Sequence, residues 1–470
     1  MKPIGNLVLS ATLFVSCGQA PQPVKVQADT VAPANNTAPA LTGTELHHYS
    51  SLTEGFFDPI ISGRFNGSVL VAKNGVIVYE RYKGFKYPDK KKDSLDQHTA
   101  FHLASVSKTF TAMATLKLWQ DGKLDIHDSV SKYLAGFPAD GTTIQHLLSH
   151  RSGLTNYVHY MDRSGWDKHK MLHNADVLAY ISAHPRETRN RPPGKHFEYS
   201  NTNYALLALI IEKVSGLSYP DYLSKTFFQP LQMTDSYVYT SADSLTAMDS
   251  YYQTGRKFRM EFLDQVYGDK NIYSTVRDLY KWDQALRSGQ LFTKATLDSA
   301  YAPYSNEKPG MRNYGLGWRM LVIPNGKKLI YHNGWWHGNR TVFVRMLDEN
   351  ATIIALCNND YKRVYNSKRL CDLFGDYRQG QTFEDSDDPS DPSGTTQTGD
   401  SSSGSGNVAA AAPAAAPVVA KTTHHVVRKS ASGSKTARVV HKRKTQPATS
   451  AQAHPRKKTT RKKKTGNGAA

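Results

Sequence analysis

Ser105-Val106-Ser107-Lys108 opens a long apolar run, and its reading sets the fold. A serine hydroxyl is a poor nucleophile until something removes its proton. In Ser-x-x-Lys the two side chains stand three residues apart and share one face of a helix, so the amine can reach the hydroxyl. The downstream spacing predicts a helix. Val106, Phe110, Met113, Leu116 and Trp119, with small Ala112 and Ala114, run up to Gly122, a residue suited to the position past a helix end. Ser105 then falls in the first turn, where backbone N–H groups and the positive dipole end favour a developing oxyanion. Many surface helices carry the four-residue pattern by chance, so its weight rests on partners elsewhere in the chain.

Two partners follow in order. Tyr199-Ser200-Asn201 comes after the turn-like Arg191-Pro192-Pro193-Gly194 and directly before a helical run, Tyr204–Val214. His332-Asn333-Gly334 ends a strand-like stretch, Lys328-Leu329-Ile330-Tyr331. A tyrosine supplies a second titratable oxygen beside the serine, and an asparagine can bind a substrate amide. A polar residue two before a glycine on an edge strand lets a substrate backbone lie against that strand.

This ordered triplet resembles the serine β-lactamase / penicillin-binding-protein superfamily, in its class C-like, D,D-carboxypeptidase and esterase branch. There the signature reads Ser-x-x-Lys, Tyr-x-Asn, and Lys-Thr-Gly or His-x-Gly. The resemblance covers residues 45–378 and extends between the motifs. Gly67–Gly75 looks like the opening hairpin and His146–Leu154 like the His-Leu-Leu-x-His-x-Ser-Gly-Leu segment. Tyr273–Leu279 and Tyr314–Trp318 are similar to two further stretches.

The resemblance implies an α/β fold: a five-stranded antiparallel sheet with flanking helices, plus an inserted, mostly helical domain, the serine lying at their junction. Hydrophobic period agrees. Val69–Lys73 and Val76–Tyr82 flank Asn74-Gly75, a strong hairpin signal, and Lys328–His332, Thr341–Leu347 and Thr352–Leu356 supply three more strands. Leu52–Ile61 and Asn366–Phe374 read as helices. The helical region spans about 110–310.

By the same resemblance, Ser105 would attack a carbonyl carbon and form an acyl-enzyme, with Lys108 taking its proton. Tyr199 would protonate the leaving group; whether Lys108 or Tyr199 is the base stays open. Asn201 would hold the substrate amide, and the N–H groups of Ser105 and Trp335 would form the oxyanion hole. His332 and Gly334 complete the substrate-binding set. Here the chain departs from β-lactamases: a neutral histidine replaces a permanently charged lysine, and Asn333 replaces a hydroxyl residue. Efficient β-lactam hydrolysis is therefore disfavoured. Trp335, Trp336 and His337 point to an apolar or planar acyl group, and Arg340 is a candidate carboxylate partner or a solvated charge.

His146 and His150 have the spacing of a helical metal pair but lack an intervening glutamate and a third ligand, so they read as packing or caps. No metal ion or cofactor is called for. No Gly-x-Ser-x-Gly elbow or glycine-rich phosphate loop occurs, which argues against an α/β-hydrolase and a nucleotide enzyme.

Of the 470 residues, the last ninety form no core: from Glu384 onward there is no Leu, Ile, Met, Phe, Tyr or Trp. The net charge of +19 divides into +10 for residues 1–380, −6 for 381–400 and +15 for 401–470. Residues 379–470 thus read as a disordered low-complexity tail, acidic over 381–400 and basic over 421–464. A coil of that length spans about 50 Å. It is either a solvated extension or a ligand for a polyanion such as lipopolysaccharide or cell wall; no specific nucleic acid is expected.

Met1-Lys2, the apolar Ile4–Val15 and Ser16-Cys17-Gly18 form a lipoprotein-type signal over 1–17, with Cys17 as the lipidation site and 18–44 as a flexible linker. Export to the bacterial envelope, lipid-anchored to a membrane at the periplasm or outer membrane, follows from that reading. Cys357 and Cys371 are then either a disulfide or, preferably, two buried thiols. The expected function is an exported serine hydrolase acting on an ester or amide, such as a cell-wall D-amino-acid peptide. A promiscuous esterase and a non-catalytic envelope-binding protein are the alternatives, the latter disfavoured by intact Ser105, Lys108, Tyr199 and Asn201.

Overall fold

The computed structural model describes residues 39–307 and 310–379. The expected signal with Cys17, the linker up to residue 38, and the acidic and basic tail from 380 onward lie outside the described residues. The first helix, α1, runs Gly43–Ile61, starting well before the expected Leu52. Its start is set by a capping box: the Thr42 hydroxyl accepts from the Glu45 N–H at 3.2 Å, and the Glu45 carboxylate accepts from the Thr42 N–H at 2.8 Å.

The main sheet is antiparallel and contains β1 (Gly67–Lys73), β2 (Val76–Lys83), β3 (Arg312–Tyr314), β4 (Arg319–Val322), β5 (Lys328–Trp336), β6 (Asn339–Met346) and β7 (Ala351–Cys357), in the order β2-β1-β7-β6-β5-β4-β3. All five expected strands are present and contiguous. The count of five is corrected to seven, because β3 and β4 extend the sheet beyond β5. At three and four residues they are too short to show alternation in the sequence. Asn74 and Gly75 turn β1 into β2 with φ of 51° and 81°, the left-handed geometry that this pair tolerates.

Both faces of the sheet are covered, so β6 and β7 are buried along their whole length. On one face Val69, Leu329, Tyr331, Val342 and Ile353 pack on α1 through Phe57 and Ile60, and on the 3₁₀ run Lys362–Leu373, which stands where a C-terminal α-helix was expected. On the other face Leu70, Ile330, Phe343 and Ile354 meet the helical region. Side chains alternate along a strand, so His332 and Gly334 of β5 share the second face with Ile330.

The centre of that region is α2 (Ser107–Gln120), buried from Ser107 through Leu116. Two of its polar members are satisfied by the local backbone: the Thr109 and Thr115 hydroxyls donate to the carbonyls of Val106 and Thr111 at 2.8 and 2.9 Å. Against α2 packs α3 (Asn201–Ser215). A small sheet of Phe101–His102, Ile272–Ser274 and Tyr237–Val238 sits within the helical region; segments of two or three residues carry no periodic signal.

Cys357 and Cys371 are free, buried thiols, in line with the preferred reading, and burial pushes Cys357 up to about 12. Among the described residues no helix is long and apolar enough to cross a membrane.

Candidate active site

Ser105 occupies a 3₁₀ turn, Ala104–Val106, that runs directly into α2. Ala104 is held at φ 48°, a conformation that costs a non-glycine residue energy and persists only when its surroundings over-determine it. They do. Leu103 donates its N–H to the Ile272 carbonyl at 2.8 Å, and its own carbonyl accepts from the Thr341 hydroxyl of β6 at 2.7 Å. Gly334 completes the clamp from β5: a Cβ there would lie 2.4 Å from the Leu103 carbonyl oxygen and 2.3 Å from the Thr341 hydroxyl. The glycine of the third motif is therefore required for the strand to press against the serine turn. That contact sets the strand carrying Trp335 against the turn carrying Ser105.

Lys108, one turn further on, donates to the Ser105 hydroxyl at 3.0 Å and to the Asp269 carbonyl at 2.8 Å. Its amine is wholly buried. Desolvation pushes it down to about 7, the Asp269 carboxylate opposes that shift, and the Arg319 guanidinium adds to it. The amine lies 5.1 Å from the centroid of the Tyr199 ring. Serine, lysine and tyrosine are thus brought together as expected.

The second motif is held by the 146–154 segment. The His150 imidazole accepts from the Ser200 N–H at 3.2 Å and from the Asn203 amide at 3.0 Å, while the Ser152 hydroxyl donates to Asn203 at 2.6 Å. The His150 ring also lies 4.3 Å from that of Tyr199. His146 caps its own helix, accepting from the Thr143 N–H at 3.2 Å. The packing-and-cap reading of both histidines holds. Asn201 begins α3, and its Oδ1 is buried with no hydrogen-bond partner among the described residues, as suits a group waiting for a substrate amide.

His332 departs from a direct substrate contact. It is fully buried, accepting from the Tyr314 hydroxyl at 3.2 Å and donating from Nδ1 to the Asn333 carbonyl at 2.6 Å. Burial, then Arg319 and Lys108, hold its pKa well below the ordinary histidine value. It is a neutral support for Tyr314 and Tyr199. Asn333, one residue on, falls on the α1 side of the sheet by strand alternation. Arg340 is neither solvated nor aimed at a substrate: it is buried, pairs with Asp360 at 2.8 Å, and stacks 5.3 Å from the Trp335 ring. Trp335 itself is half-buried, its indole donating to the His337 carbonyl at 2.9 Å.

Three charged neighbours of the site escaped the sequence reading. Arg319, on β4 opposite Tyr331 of β5, places its guanidinium 5.3 Å from the Tyr199 ring centroid. Asp269 and Lys270 are a buried charged pair adjoining Lys108. Charged residues ahead of an apolar run, as in Gly268-Asp269-Lys270-Asn271-Ile272, were the available signal.

Compared with models of known families, the chain matches Beta-lactamase over residues 56–370. It is 33% identical over 324 residues to penicillin-binding protein 4* of Bacillus subtilis, a match covering 65% of this chain and 71% of that protein. It is 32% identical over 260 residues to the putative penicillin-binding protein PbpX of the same organism, spanning 53% of this chain and 62% of that one. Among solved structures, a penicillin-binding protein homologue from Pyrococcus abyssi superposes with a TM-score of 0.60 at 24% identity, covering 69% of this chain and 78% of that chain. The D-amino acid amidase of Ochrobactrum anthropi SV3 gives 0.57 at 22% identity, covering 69% and 99%. These two structures share the fold.

Proposed function

The chain belongs to the beta-lactamase family of serine hydrolases, and from that premise we propose that it cleaves a D-amino-acid peptide, amide or related ester through a Ser105 acyl-enzyme. The observation that carries the reading is the Lys108 amine, bonded to Ser105 at 3.0 Å and pushed down to about 7, where much of it is unprotonated and able to accept a proton.

In the acylation step the Ser105 oxygen forms a bond to the substrate carbonyl carbon while its proton passes to Lys108. The developing oxyanion is received by the N–H groups of Ser105 and Trp335. Collapse breaks the bond to the leaving amine or alcohol, which takes the proton from Lys108 by way of the Tyr199 hydroxyl. Water then attacks the acyl carbon and gives its proton to Lys108; the bond to the Ser105 oxygen breaks, that oxygen takes the proton back from Lys108, and the acid product leaves with serine and neutral amine restored. The Lys108–Ser105 hydrogen bond favours the lysine as base and Tyr199 as shuttle.

Arg319 supports a substrate bearing a carboxylate near the scissile bond, because it is the cation nearest Tyr199 on the strand beside β5. The names of the relatives, penicillin-binding proteins and a D-amino acid amidase, agree with that class. The buried, neutral His332 offers such a carboxylate no charge, which supports slow rather than efficient β-lactam turnover.

Intact-protein mass spectrometry after a fluorophosphonate or penicillin probe tests the reading, with purified muropeptides as the second substrate. One adduct per chain, lost in Ser105→Ala, is expected, together with release of D-amino acid from muropeptides. An adduct that survives Ser105→Ala sinks the nucleophile. Labelling and ester cleavage without muropeptide cleavage would leave the esterase reading in its place.

We also propose export and lipid anchoring at Cys17, supported by the apolar Ile4–Val15 and Ser16-Cys17. The basic tail is proposed to hold a polyanion of the envelope.

A further inference from the structure

One residue serves two buried lysines. The Asp269 backbone carbonyl accepts from Lys108 at 2.8 Å, and its carboxylate lies 3.6 Å from the amine of Lys270. Lys108, Asp269 and Lys270 are all within 2 % of full burial. The Tyr157 hydroxyl donates to the same carboxylate at 3.1 Å and accepts from Lys270. The other carboxylate oxygen, Oδ1, has no hydrogen-bond partner among the described residues. Lys270 and Tyr157 are therefore what compensates this charge. Lys270 also sits 4.6 Å from the centroid of Trp336, on the strand that carries the expected oxyanion donor.

The neighbouring charges limit who else could compensate Asp269. On the Lys270 side stand Asp264 and Glu261, with His102, held neutral by burial at about 4. Asp264 is already engaged by the Trp336 indole at 2.8 Å and the His337 ring at 3.0 Å. On the Lys108 side stand Arg319, His150 and His332, all cationic or neutral, and the Tyr199 and Tyr204 rings. One buried carboxylate thus faces two amines, and a low-dielectric site cannot hold both amines charged against it cheaply.

We propose that Lys270 is a positioning residue for acyl transfer: by pairing with the Asp269 carboxylate, it leaves Lys108 bonded to the Ser105 hydroxyl and the Asp269 carbonyl instead, and so free to act as the base. Without Lys270, the carboxylate's field would fall on Lys108 and favour its charged, inactive form. The directions agree. Burial lowers the pKa of both amines, the Asp269 carboxylate raises both, and the charge of Lys108 further lowers that of Lys270. The inference rests on the acyl-enzyme reading above, with Lys108 as base.

The test is the pH dependence of kcat/KM on a neutral activated ester, p-nitrophenyl acetate, from pH 5 to 10, using the full chain and its variants. The wild type should show an acid limb near neutral pH. In Lys270→Met the limb should move up by about one to two pH units, with activity largely recovered at high pH. Asp269→Asn should move it down, Lys270→Arg should stay close to the wild type, and the double variant Asp269→Asn/Lys270→Met should return close to the wild-type limb. A structural role alone would lower activity at every pH and leave the limb in place, and that result for Lys270→Met overturns the proposal. Should Lys270→Met fail to fold by thermal melting, an unmoved limb in folded Asp269→Asn overturns it equally. Failure of the acyl-enzyme reading looks different: the wild type lacks the limb, or Ser105→Ala keeps its activity, and the proposal then falls with that reading.

Discussion

Lys108 shows how a catalytic requirement opposes stability at a single residue. Its amine is charged in the unfolded chain up to about pH 10.5 and pushed down to about 7 when folded, chiefly by desolvation. Below pH 7 the folded protein must bury a charged amine, so the full penalty applies. Between pH 7 and 10.5 the unfolded state binds more protons, and the penalty fades as pH rises. Lys108→Met should therefore raise the stability at pH 6–7 by an amount on the order of a few kcal/mol, and the melting temperature with it, and the gain should vanish near pH 10. Thermal melts across pH check this; a gain independent of pH would mean that packing and not charge is responsible. The same variant should lose ester hydrolysis by at least about a hundredfold, the usual range for a general base. At Arg319 the expectation is selective. Arg319→Gln should raise KM for carboxylate-bearing substrates about tenfold or more and change a neutral ester little, since a charge-assisted hydrogen bond is worth about 1.5–3 kcal/mol. Equal losses on both substrates would remove Arg319 from recognition.

At the scale of elements, the site exists because β5 presses on the turn that starts α2. Gly334→Ala places a methyl within 2.4 Å of the Leu103 carbonyl oxygen, and the contact is to backbone, which cannot swing aside. The strand and turn must separate, at a cost of about 1–3 kcal/mol in stability. A larger loss is expected in acylation rate, because the Trp335 N–H moves with the strand. Probe labelling by mass spectrometry, read beside a thermal melt, separates the two effects; unchanged labelling would show that β5 does not position the oxyanion donor. His332→Lys would place a second amine beside Lys108 in a fully buried pocket, so it should destabilise the fold without improving penicillin capture. The three motifs and the hairpin were legible because each is a short pattern with its own chemistry. What each motif touches was not. Arg340 reads as a candidate carboxylate partner or a solvated charge, yet its guanidinium pairs with Asp360, twenty residues away.

For the whole molecule, the question is how catalysis and attachment divide along the chain. Residues 384–470 lack the apolar side chains for a core, while their fifteen cations favour polyanions. Truncation after Gln379 should leave kcat on a small ester and the melting temperature unchanged, and should abolish salt-sensitive retention on isolated lipopolysaccharide or cell envelopes. Retention that survives truncation would move the binding surface to the catalytic region. Cys17→Ala should release the full-length protein from membranes in a fractionation experiment, and a wild type absent from the membrane fraction would refute the anchor.

The order of residues alone settled those features governed by short-range rules: the Ser105–Lys108 spacing, the Asn74-Gly75 turn and the alternation of the central strands. Such features depend on interactions over a few residues, and composition or period displays them directly. Tertiary packing decided the rest. Asp269 reaches Lys108 across 161 residues of chain. The two short strands form only by pairing outward from β5, β4 onto β5 and β3 onto β4. Lys108 reaches a value near neutrality because folding removes its water and surrounds it with one carboxylate, one guanidinium and aromatic rings. Burial and long-range charge are properties of the assembled neighbourhood, and no local stretch of the chain carries them.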